Sequence, residues 1–144
     1  MPESKKPLHI YYHNQHILVF DFHDLSTKAA RHWGAICLKY NGQYPDPLRV
    51  LYDFRGCGFP SLYIIAYERL IAPQIIFPTD VQHAYLIEHQ LQDEWAKEFI
   101  ISLPEHVKTR MFDEYSKNDA IAWLMEKLAD DTTQNSDIRV AQEK

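Results

Sequence analysis

Cysteine is scarce in this chain, and long apolar runs and basic clusters are missing. Cys37 and Cys57 are the only cysteines among 144 residues. They share no C-x-x-C spacing, which excludes a disulfide framework or a thiolate metal knuckle by pattern. Two unpaired thiols are the usual state of a reduced, cytoplasmic protein. Lys and Arg number 15 against 20 Asp and Glu, for a net charge of −5, and the longest lysine cluster is Lys5–Lys6. A nucleic-acid groove would need a basic stripe, so no nucleic-acid partner is expected. No apolar run approaches the roughly 18 residues of a membrane span. Met1–Lys6 has no apolar stretch behind it and does not read as a secretory signal. No internal repeat and no cofactor motif is visible.

Apolar material, by contrast, is plentiful: 46% of residues are hydrophobic and 13% aromatic. A chain of this length buries roughly two-thirds of the surface it exposes when unfolded. One domain with its own core is therefore expected over residues 8–129, between a disordered N-terminus (1–7) and a disordered C-terminal tail (130–144).

The period of the apolar residues alternates along the chain. Leu8–His13 and His16–His23 read as strands joined by a turn at Asn14-Gln15, an antiparallel hairpin. Asp24 and Ser26 offer caps to a helix whose face is Ala29, Ala30, Trp33, Ile36, Cys37 and Tyr40. Asn41-Gly42 ends it. Leu48–Phe54 is apolar on both faces, as an interior strand is. Pro60 suits the first turn of a second helix, whose face is Tyr63, Ile64, Tyr67, Leu70 and Ile71. Pro73 stops that helix, and Ile75–Phe77 is ambiguous. Val81–Glu88 reads as a fourth strand. Leu91, Trp95, Phe99 and Leu103 form a third helical face, ended by Pro104. Val107–Asp113 is a fifth strand. Ser116-Lys117-Asn118-Asp119 resembles a capping box and opens a helix bearing Ala120, Trp123, Leu124 and Leu128. The order β-β-α-β-α-β-α-β-α predicts an α/β domain with a mixed sheet of about five strands and about four helices.

Two local signatures carry a resemblance. One is the strand ending in Asp53-Phe54, followed by a glycine-containing loop and a helix. The other is Met111-Phe112-Asp113-Glu114 leading into Asp119-Ala120-Ile121-Ala122-Trp123-Leu124. Together with the element order over residues 8–129, they resemble the SpoIIAA-like branch of the STAS proteins. The resemblance implies a non-enzymatic regulatory or protein-binding module that contacts a partner at the start of its second helix. Anti-sigma-factor antagonists of that group carry an Asp-Ser-Ser-Gly-type turn there, with a phosphorylated serine. This chain has Gly58-Phe59-Pro60-Ser61-Leu62 instead, with Ser61 as the one phosphoacceptor.

The candidate contact residues are accordingly Asp53, Arg55, Gly56, Cys57, Gly58, Phe59, Ser61 and Tyr63. Asp53 can accept N–H bonds from the turn that follows. Cys57 lies beside Arg55 near a helix N-terminus, both of which lower a thiol pKa, but no particular histidine is brought to it and no catalytic constellation emerges. Ser61 at a helix start is either a cap or a phosphoacceptor. Phe59, between Gly58 and Pro60, is the residue expected to lid a pocket or anchor a partner. If Asn14-Gln15 is a two-residue turn, His13 and His16 face each other, yet no third ligand completes a metal site. The alternative to a protein partner is a small-molecule or lipid-binding domain. That reading expects an apolar pocket of a few hundred Å3 beneath the second helix, lined by Phe59, Tyr63 and Tyr67. A homodimer is compatible with either.

Overall fold

A computed structural model describes residues 6–99 and 103–126. Residues 1–5 and the whole expected tail, 130–144, lie outside them. Pro7, assigned to the disordered N-terminus, is tied in: its carbonyl accepts a 2.7 Å bond from the His23 N–H.

Five strands form one sheet in sequential order, β1-β2-β3-β4-β5. They are Leu8–His13, Ile17–Phe22, Leu48–Asp53, Val81–Leu86 and Val107–Phe112. The first pair is antiparallel and every later pair is parallel. β3 is central and buried along its whole length, as its two-sided apolar sequence predicts. The hairpin differs by one residue from expectation. His13 pairs with Ile17, not His16, because Asn14 and Gln15 both take positive φ and residues 14–16 together close the turn.

Helices α1 (Thr27–Lys39), α2 (Leu62–Ile71) and α3 (Gln92–Glu98) connect the parallel strands. A last helix, α4, covers residues 117–126 of the described chain. Sequential order means that every crossover runs the same way, so α1, α2 and α3 share one face. Cys37 of α1, Ile65 and Ile71 of α2 and Trp95 of α3 belong to one core with Leu18, Phe20, Val50, Tyr52 and Tyr85 of the sheet. The opposite strand parity, Ile17, Val19, Leu51, Ala84 and Leu86, packs against Ala120 and Leu124 of α4. Among the described residues no helix is long and apolar enough to cross a membrane.

Caps fix where the helices begin. Ser26 Oγ accepts from the Ala29 N–H at 3.1 Å. Ser116 precedes α4, its carbonyl bonded to the Ala120 N–H and its hydroxyl donated to Asp113 Oδ1 at 2.7 Å. Pro60 is not the first helical residue: Ser61 is the N-cap and α2 starts at Leu62. At Gly34 the first two helices meet so closely that a Cβ would overlap the Tyr67 hydroxyl.

One charge is wholly buried on the α4 side of the sheet. Arg49 is 0% exposed, and its Nη1 lies 3.1 Å from Asp80 Oδ1. Its Nε and Nη2 find no hydrogen-bond partner. Asp80 is itself partly exposed, at 28%, but removing it leaves the buried guanidinium without its counter-charge, which costs more than the pair itself is worth. Asp80→Ala should therefore lose about 2–3 kcal/mol in urea unfolding, less than a fully buried pair because water screens Asp80. Adding Arg49→Met should restore most of the loss, and a single variant close to the parent would contradict this reading.

Candidate functional site

The loop from Phe54 to Ser61 leaves the C-terminal end of β3. Gly56 and Gly58 have φ of +78° and +72°, the left-handed region that glycine enters without strain. Asp53 is buried at the strand end and holds the turn. Its Oδ1 accepts from Arg55 N–H at 3.1 Å and from Arg55 Nε at 2.9 Å, and its Oδ2 from Arg55 Nη2 at 2.8 Å. Gly56 N–H donates to Glu88 Oε1 at 3.0 Å. Arg55 Nη1 reaches the Glu114 carbonyl at 3.4 Å. The polar groups of the loop are thus satisfied by the ends of neighbouring strands.

Cys57 is half-buried and its thiol donates to the Phe22 carbonyl at 3.2 Å. Burial pushes the thiol up to about 12, and the nearby carboxylates of Asp53 and Asp24 push the same way. The sequence pointed to a lowered value from Arg55 and the helix start. Arg55, however, is turned onto Asp53, and desolvation wins. Ser61 is exposed, with Oγ accepting from Ile64 N–H at 3.4 Å as the cap of α2. Tyr63 was expected on the packed face of α2, yet it is 49% exposed and accepts a 3.0 Å bond from Arg31 Nη2 of α1. Phe59 is half-buried, edge-on to Trp95 and Phe99 at centroid distances of 5.9 and 6.4 Å. Among the described residues, no group of three His, Cys, Asp or Glu side chains is placed to hold a metal.

Beneath α2 lies a cavity of about 80 Å3. It is smaller than the pocket expected from sequence. Tyr67 lines it, while Phe59 and Tyr63 do not. The sheet supplies its floor: Phe22, Tyr52, Phe54 and Tyr85. Trp33 comes from α1, Ile64 and Tyr67 from α2, and Trp95 from α3. Among the described residues, nine of the seventeen that line it are aromatic, and Glu68 is the single charged one.

Three polar groups of this region are unusual. Glu68 Oε2 is buried without a partner. Burial raises its carboxyl to about 7, against the opposing pull of Arg69. Trp95 Nε1 is also buried and unpartnered. His83, beside the floor, shares a 3.1 Å hydrogen bond with the Tyr85 hydroxyl through Nδ1, and full burial lowers its pKa to about 3. The sequence reading passed over Glu68. The signal was present: residues 64, 67, 68 and 71 follow the i, i+3, i+4, i+7 spacing of one helical face, so an acid at 68 falls on the packed side.

No protein-family model matches the chain, and no curated protein matches it either.

Two measurements check these placements. Iodoacetamide at pH 7.5 should leave Cys57 of the native protein almost unlabelled, because the thiolate is the reacting form. Fast labelling would contradict the raised pKa. For Glu68, the folded chain keeps a proton that the unfolded chain has released between pH 4.5 and about 7. The carboxyl therefore loses stability for the fold as pH rises through that window. Glu68→Gln, which imitates the protonated acid, should match the parent below pH 4.5 and exceed it at pH 8, by on the order of 2 kcal/mol. A difference that does not change with pH would contradict the assignment.

Proposed function

We propose that this chain is a non-enzymatic binding module of SpoIIAA-like, STAS-like architecture whose ligand is a small, largely apolar molecule held beneath α2. The observation that carries the proposal is the aromatic-lined cavity of about 80 Å3 with an unpartnered Glu68 carboxylate oxygen in its wall. A buried carboxylate oxygen without a partner costs stability, and a bound molecule with a donor group would remove that cost. The non-enzymatic part of the reading is supported by the loop chemistry. Asp53 and Arg55 are bonded to each other, and the Cys57 thiol is bonded to a backbone carbonyl rather than to a base.

A protein partner at the Arg55–Ser61 loop is the second reading. Leu62 is 84% exposed directly after that loop, with Tyr63 beside it. Exposed apolar side chains next to one another mark contact surfaces more often than isolated ones do.

Xenon under pressure tests the cavity without presuming a ligand, since dry apolar cavities admit it. It should shift the methyl resonances of Ile64 and Ile75, both of which line the space. Ala30→Leu, which projects a larger side chain into the cavity from α1, should remove the shifts while the protein stays folded. Unchanged Ile64 and Ile75 resonances at saturating xenon would refute the proposal.

A further inference from the structure

We infer that the cavity beneath α2 recognises a small alkylammonium ion, with Glu68 as its counter-charge and the surrounding rings as its cage. This inference rests on the cavity being a ligand site and adds the chemistry of the ligand.

Three observations converge. Among the described residues the wall carries one acidic side chain and no basic one, so its charge, when Glu68 is ionised, favours a cation. Glu68 Oε2 is buried and unpartnered, so it offers a free acceptor. The remaining wall is mostly aromatic, with Trp33, Tyr67 and Trp95 contributed by three different helices. Ring faces attract cations through their quadrupole, more strongly where water is excluded. An anionic ligand would meet the Glu68 carboxylate and is disfavoured by it. Size narrows the class further. Taking roughly 10–15 Å3 of cavity space as the need of one water, a cavity of about 80 Å3 holds a molecule of several heavy atoms.

The protonation state of Glu68 links binding to pH. At a pKa of about 7 the free carboxyl is part protonated near neutrality, and an arriving ammonium favours the charged form. The other titrating groups at this site hold their state across the range. Tyr52 and Tyr85 on the sheet are pushed well above their usual values by burial. His83 stays neutral to about pH 3. Arg69 is a neighbour on the same helix and is ion-paired to Glu98 after α3 begins its last turn. From α1 and α3 the cavity receives Ala30, Trp33 and Trp95, none of which titrates.

The test compares isobutylamine with isobutanol, near-isosteres that differ in charge, by titration calorimetry on the full chain, with xenon binding followed by NMR as the control. Isobutylamine should bind at least tenfold more tightly than isobutanol at pH 8, and should weaken as pH falls from 8 to 5 while the amine itself stays protonated. Glu68→Gln should lose at least tenfold for isobutylamine, together with its pH dependence, and should still admit xenon. If xenon enters but the two organic probes bind equally, or if Glu68→Gln keeps the amine preference, ammonium recognition is overturned while the cavity reading stands. If xenon does not enter the parent protein, both fall.

Discussion

Parallel register places Phe20, Tyr52 and Tyr85 side by side on three adjacent strands, and the rest of the molecule is arranged around that row. The rings stack at centroid distances of 5.0 and 5.2 Å with planes within 10° of one another. Phe22 and Phe54 form a second pair one step along, at 4.9 Å. Offset stacks of this kind contribute about 0.5–1.5 kcal/mol each beyond the area they bury. They also impose a geometry. Flat rings standing on the sheet hold the helices at a fixed height and do not bend to fill the space between three of them. Their hydroxyls demand partners, and that demand positions neighbours: Trp33 Nε1 of α1 donates to the Tyr52 hydroxyl at 3.1 Å, and His83 joins Tyr85. The cavity is what remains between this floor and α2.

The two faces of the sheet do different work. On the α4 side, aliphatic side chains close against Ala120 and Leu124, and the wholly buried Arg49 pairs there with the partly exposed Asp80. On the other side, the core is built from rings and holds an ionisable carboxyl. The Arg55–Ser61 loop joins these halves at the C-terminal ends of the strands. Its bonds run to Phe22, Glu88 and Glu114, so it ties the ends of β2, β4 and β5 to β3. Pro60 carries it to the cavity wall. A chain that follows this loop into α2 passes from a structural joint to the lining of a site within a few residues.

Much of the architecture was legible in the sequence because each element has its own period. The five strands fall within a residue or two of their expected limits, and the interior position of β3 follows from Leu48–Phe54 being apolar on both faces. The site was less legible. Phe20, Tyr52 and Tyr85 read only as apolar strand residues, since their alignment depends on strand order and register, which no local pattern contains. Tyr63 and Leu70 fit an apolar helical stripe by spacing, yet both are exposed. The true packed face is rotated toward Glu68 by the Ser61 cap and by the close approach of Tyr67 to Gly34. The expected activation of Cys57 failed for a related reason: the direction in which Arg55 points, and the burial of the thiol, are tertiary facts.

The central claim is that the space beneath α2 is a binding site built by the aromatic floor rather than a packing gap. A high-resolution crystal structure of the protein purified from its native source tests it most directly. The account predicts non-protein electron density enclosed by Tyr52, Tyr85, Trp33 and Trp95, with an atom within hydrogen-bond distance of Glu68 Oε2. A closed core, with Tyr67 filling the space and Glu68 paired to another side chain, would contradict it.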